Sequence, residues 1–213
     1  MSIEDPSVQS GGDSKPDKTS FEVLRGKERM QIRHLLEEGG AEALARVAQE
    51  LDLDTETVAL MSRFALLRRQ THVINDAEAN NRFSSEVPPT EEELQLGSYR
   101  EQFEPQVRDA LFALYRKGYE TVSSGFGNFL EQFISFRNNA NVNEFSFSDD
   151  LIKWAGERGI QILLESDAVR MRFSQFVDIE TITEAWNKIA AEMPVVGEPI
   201  VLPPDKERFR RGH

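Results

Sequence analysis

The chain has 213 residues, 39% of them hydrophobic, and its 37 acids against 25 bases leave a net charge of −12. Such an acidic balance excludes a general grip on nucleic-acid phosphate and disfavours a basic hold on an anionic lipid surface. The absence of cysteine excludes disulfides, thiolate metal sites, iron–sulfur clusters and cysteine nucleophiles.

Residues 1–20 are mostly Ser, Gly, Asp, Lys and Pro, too poor in apolar side chains to offset an ordering entropy, and read as a disordered leader. Met1-Ser-Ile-Glu-Asp-Pro has no basic stretch followed by an apolar run, so no secretory signal is predicted. No run of about 18 apolar residues occurs to cross a bilayer. A cytoplasmic chain with no membrane partner is expected.

Residues 21–70 carry helical periodicity. Met30, Leu35 and Leu36 precede Gly39-Gly40, a helix stop. Leu44, Val47, Ala48 and Leu51 mark a second helix. Asp54 caps a third that carries Val58, Met61, Phe64 and Ala65. Residues 71–98 read as a linker, because Asn75 to Ser85 is polar and Pro88-Pro89 forces extended backbone. Within it, Thr90 and Glu93 have capping-box spacing for a short helix that Gly97 ends.

Residues 99–193 predict an αββαββα domain. Pro105 opens a helix lined by Val107, Leu111 and Leu114, and Gly118 ends it. Tyr119–Ser124 and Glu131–Phe136 read as strands joined by a glycine-rich link. Ser148 caps a helix that stops at Gly159, and Ile160–Glu165 and Val169–Phe173 flank a Ser166-Asp167 turn. Gly118 and Gly159 hold equivalent places, so helix, glycine and hairpin recur in order. Asp178 caps a final helix whose stripe runs from Ile179 through Trp186 to Met193, and Pro194 stops it. Residues 194–213 read as an extended tail. The fold class is therefore α+β: a four-stranded antiparallel sheet covered by helices on one face, preceded by the helical region. The other face stays open, and strand order does not follow from the sequence.

Three groups of residues could carry chemistry. Ser123, Ser124, Gly125, Gly127 and Asn128 form a link whose amides and hydroxyls suit a small anion, with Arg137, Arg170 or Arg172 supplying charge-assisted contacts. A strand follows the link where a dinucleotide fingerprint needs a helix, and a phosphate-loop lysine is missing. Phenylalanines beside those arginines would also suit stacking of single-stranded nucleic acid, but residues 99–213 still hold 14 bases and 18 acids, a net −4. Leu44–Val58 has the rhythm of a helix-turn-helix, yet its reading helix would begin Asp54-Thr-Glu-Thr and repel phosphate.

His34, His72 and His213 stand in different segments with no HExxH or His-x-His pair, so no metal site is expected. Asp149-Asp150 and Glu91–Glu93 fit first turns of helices, where the helix dipole alone favours them. No catalytic set assembles and no cofactor is expected. The leading expectation is a non-catalytic binding or adaptor protein that offers its open sheet face to a protein partner or its own copy. A small anionic ligand at Ser123–Asn128 is the alternative, and nucleic-acid binding stands behind it.

Overall fold

The computed structural model describes residues 26–127, 129–137 and 142–201. The predicted leader, Asn128 and the end of the tail with His213 lie outside them. Seven helices are α1 (Gly26–Glu38), α2 (Ala41–Leu51), α3 (Thr55–Ser84), α4 (Glu91–Leu96), α5 (Arg108–Arg116), α6 (Asp149–Gly156) and α7 (Ile179–Glu192). Four strands are β1 (Thr121–Phe126), β2 (Glu131–Phe136), β3 (Ile160–Leu164) and β4 (Ala168–Phe173).

The predicted caps set most boundaries. Asp54 accepts the Thr57 N–H at 2.8 Å, Ser148 the Leu151 N–H at 3.2 Å and Asp178 the Thr181 N–H at 2.7 Å. Each takes an orphan donor of a first turn. At α4 both halves of the Thr90–Glu93 capping box form.

The segment read as a linker needs correction. α3 runs 30 residues, roughly 45 Å at 1.5 Å per residue, and takes in Thr71 to Ser84. Its sequence is polar there but contains neither Gly nor Pro, so nothing interrupts the helical hydrogen bonds. Side chains from the following segment hold this polar end. Arg82 donates to Glu101 from Nε at 2.9 Å and to Glu93 from Nη2 at 2.8 Å. Arg108, fixed by the Phe103 carbonyl at 2.9 Å, reaches both Asn75 and Glu78.

All strands pair antiparallel in the order β1-β2-β4-β3. The two hairpins thus meet at the β2–β4 seam, and the order reads the same from either side of it. On one face Phe126, Ile134, Phe136, Ile160, Val169, Met171 and Phe173 are buried under residues of α5, α6 and α7. Trp186 of α7 is fully buried, and its Nε1–H donates to Gln132 Oε1 at 2.8 Å. Lys117, just past α5, donates from Nζ to the carbonyls of Ala190, Ala191 and Met193 at 2.6–2.8 Å. That cation closes the C-terminus of α7, where the dipole favours it.

Helices α1 to α3 enclose a centre of their own, with Ile32, Leu36, Val47, Leu51, Val58 and Met61. Phe129, from the β1–β2 link, is buried in that centre. In return Phe64 of α3 stacks on Phe173 of β4, with ring centroids 4.8 Å apart, and lies 5.3 Å from Phe176. After α7 the chain runs back along α5, where the Val196 and Ile200 N–H groups donate to the carbonyls of Lys117 and Tyr115, each at 2.9 Å.

Phe64→Ala is expected to cost roughly 3–5 kcal/mol in urea unfolding, with helix and sheet signals moving together because both share that ring. The Asp178 carboxyl is held below its ordinary 3.8 by the Thr181 N–H. A depressed carboxylate contributes stability above its unfolded value and loses it as pH falls through the folded one. Melting curves below about pH 4 should therefore fall more steeply for the wild type than for Asp178→Asn, which caps without titrating.

Candidate functional site

The glycine-rich link is built around an anion that the chain itself supplies. In β1, Ser123 and Gly125 pair with Ser135 and Phe133, and the Gly127 N–H closes the hairpin on the Glu131 carbonyl at 3.1 Å. This register turns the Phe126 amide outward, where it donates to Glu104 Oε2 at 3.2 Å. Gln106 Nε2 donates to the same oxygen at 2.6 Å, and His72 Nε2 of α3 lies 3.9 Å from Glu104 Oε1. Gly125 has φ +108°, and a Cβ there would stand 2.5 Å from the Glu104 carboxylate. Both favour glycine at this position. Glu104 escaped the sequence reading because two of its partners, Phe126 and His72, lie 22 and 32 residues away, and no periodicity links them.

Of the predicted binding residues that the structure describes, Arg170 and Arg172 meet on one acid, while Ser123, Ser124 and Arg137 stand apart. Ser123 is exposed on the open face, and its carbonyl accepts the Ser135 hydroxyl at 3.3 Å. Ser124 points to the opposite face, beside Ile134. Arg137, at the end of β2, pairs with Glu120 at 2.7 Å.

Arg170 and Arg172 stay on the open face but are already engaged. Arg170 meets Glu131 at 2.8 Å and Glu165 at 2.7 Å, and Arg172 meets the other Glu131 oxygen at 3.3 Å. Burial alone would lower the Arg170 guanidinium, but the Glu165 hydrogen bond and the two acidic charges outweigh it and raise it. Its guanidinium lies 5.3 Å over the Phe133 ring. Glu131 itself is only 8% exposed in its side chain, a burial that a carboxylate tolerates when both oxygens are paired. Two cations and two acids therefore leave this face neutral around a half-buried aromatic ring.

Two cavities lie away from these residues. One of about 710 Å³ opens between Ile74, Pro105 and the outer side of α7, and another of about 550 Å³ sits at the start of α3 beside Arg63 and Phe176. A third, about 350 Å³, lies at the start of β3, where Arg172 joins Gly159, Gln161 and Ser174. His34 pairs with Glu38 at 3.2 Å on an exposed helix face. Asp149 and Asp150 are exposed in the first turn of α6. Among the described residues no three or more His, Asp or Glu gather to hold a metal ion. No described helix is long and apolar enough to cross a membrane. The chain matches no family model, no curated protein and no solved structure.

Gly125→Ala should lower stability by roughly 1–3 kcal/mol through its backbone angle and more through the collision with Glu104. Adding Glu104→Ala should recover part of that loss in a double-mutant cycle of urea midpoints. Glu131→Gln releases Arg170 and Arg172 from one shared acid, so retention on a heparin column at low salt should exceed that of the wild type.

Proposed function

We propose that the chain is a non-catalytic cytosolic adaptor that docks a protein partner on the open face of its sheet. The observation carrying this reading is the joint pairing of Arg170 and Arg172 with Glu131, around Phe133. Arginine and aromatic side chains are enriched at protein interfaces, and their internal neutralisation removes the field that would draw phosphate. Leu163 of β3, half-buried, adds apolar area on the same face, because its register partner is Arg170. The absence of cysteine suits a reducing compartment.

The test is pairwise. A protein captured on the full chain is purified and titrated against wild type, Phe133→Asp and Leu163→Asp in a calorimeter. Binding is expected for the wild type, with affinity at least tenfold lower in both variants and little dependence on salt. Binding that both variants keep refutes the open face as the docking surface. Stabilisation of the wild type by nucleotides or sugar phosphates, lost in Ser124→Ala, would instead support the anionic-ligand reading. Steeply salt-dependent retention on DNA or RNA would support the nucleic-acid one.

A further inference from the structure

We propose that the outer edge of β3 is a pairing edge at which two copies of this chain join their sheets, antiparallel, about a two-fold axis at Ile162. The argument begins with the ladder. The Glu165 N–H donates to the Ala168 carbonyl at 2.8 Å and the Ser174 N–H to the Gly159 carbonyl at 2.9 Å. Glu165, Leu163, Gln161 and Gly159 therefore turn their backbone groups toward β4, since these alternate along a strand. Ile160, Ile162 and Leu164 turn theirs away from the sheet. β3 ends the strand order, so among the described residues no strand takes those donors and acceptors.

A sheet normally blunts such an edge with a bulge, a proline, a charge or a covering side chain. The opposite edge has two such devices, and a glycine between them. β1 has a register shift between Thr121 and Ser123, a glycine at φ +108°, and the Glu104 carboxylate on the outward amide of Phe126. Among the described residues β3 has none of them. Its five residues, Ile-Gln-Ile-Leu-Leu, carry no charge or proline, and they pair with β4 in unbroken register.

A second copy is the occupant that this edge fits. Antiparallel self-pairing about Ile162 sets Ile160 opposite Leu164, branched apolar against branched apolar, and Gln161 opposite Leu163. Ile162 faces its own equivalent, with both backbone bonds exchanged. Beyond the strand, Glu165 of one copy arrives beside Gly159 and Arg158 of the other, so opposite charges flank the apolar centre. Their side chains are 39% and 40% exposed. The result is one continuous eight-stranded sheet with self-complementary contacts, as two-fold symmetry requires. The edge shares only β3, through Gln161 and Leu163, with the open face, and a monomeric protein would refute this proposal and leave the adaptor reading standing.

The experiment is sedimentation of the full chain over a range of concentration, with amide exchange read in parallel. The mass should rise from 24.3 kDa toward twice that value. Association should strengthen with salt, which screens the −12 charge on each copy. Exchange at Ile160, Ile162 and Leu164 should slow with concentration while Gln161 and Leu163 stay unchanged. Ile162→Lys and Ile162→Asp should each be folded by circular dichroism and at least tenfold weaker in association, because like charges then face each other across the axis. Mixing the two variants should restore the dimer. A monomer at every concentration, or a mixture of folded variants that stays apart, overturns the proposal. So does association that both variants retain, or a different protein that protects the same three amides.

Discussion

The pairing of β2 with β4 is the constraint on which the rest of the molecule depends. Two-stranded hairpins are marginal alone, and only when Gln132 meets Met171 and Ile134 meets Val169 do they become one layer broad enough to bury Trp186. The same register decides what stands on the other side, setting Glu131 against Arg172 and Phe133 against Arg170. It also places β1 and β3 at the two edges. Core, open face and edges are consequences of a single long-range pairing, made between segments more than 30 residues apart in sequence.

A fully buried amide and a nearly buried carboxylate sit on the two faces of the sheet at that seam, and each is tolerated for its own reason. Gln132 enters the apolar face because the indole N–H of Trp186 needs an acceptor there. Glu131 is drawn into the opposite face because two guanidiniums occupy its oxygens. Removing water from charges costs free energy unless they are paired, so the acid and the arginines hold one another in place. The open face is thereby fixed in shape as well as neutral in charge, in a chain that is otherwise strongly acidic.

What the sequence made legible was local. Caps at Asp54, Thr90, Ser148 and Asp178, and stops at Gly39, Gly97, Gly118 and Gly159, depend on hydrogen bonds and backbone angles within a few residues, which composition and spacing express directly. The β3–β4 turn at Ser166-Asp167 was readable for the same reason. The far half of α3 was not. Its polarity from Asn75 to Ser85 looks like solvent exposure, and the partners that hold it, Arg108, Glu93 and Glu101, arrive from later in the chain. The glycine-rich link shows the same limit at the candidate site. Its glycines announced an unusual backbone, but the anion beside it belongs to Glu104, and no pattern in the sequence joins Glu104 to Phe126. Strand order was equally hidden, because antiparallel hairpins with apolar faces can be laid side by side in more than one way.

The two helix–hairpin units make the asymmetry of the edges informative. They share an order, a left-handed glycine before the first strand (φ +89° at Gly118 and +70° at Gly159), and a place on either side of the seam. What differs is the segment preceding each. Ahead of α5 the chain passes through Glu104 and Pro105, close enough to β1 for a carboxylate to occupy its outward amide. That contact and the positive φ of 108° together favour glycine at position 125, because a Cβ there would have to displace the carboxylate. Among the described residues ahead of α6 no comparable acid reaches β3, and the strand keeps β-branched and leucine side chains in unbroken register. Closing the first edge required a specific acid, a specific glycine and a bulge acting together. In one sheet built from two similar units, those devices gathered at β1 leave β3 as the side on which further pairing has the least to overcome.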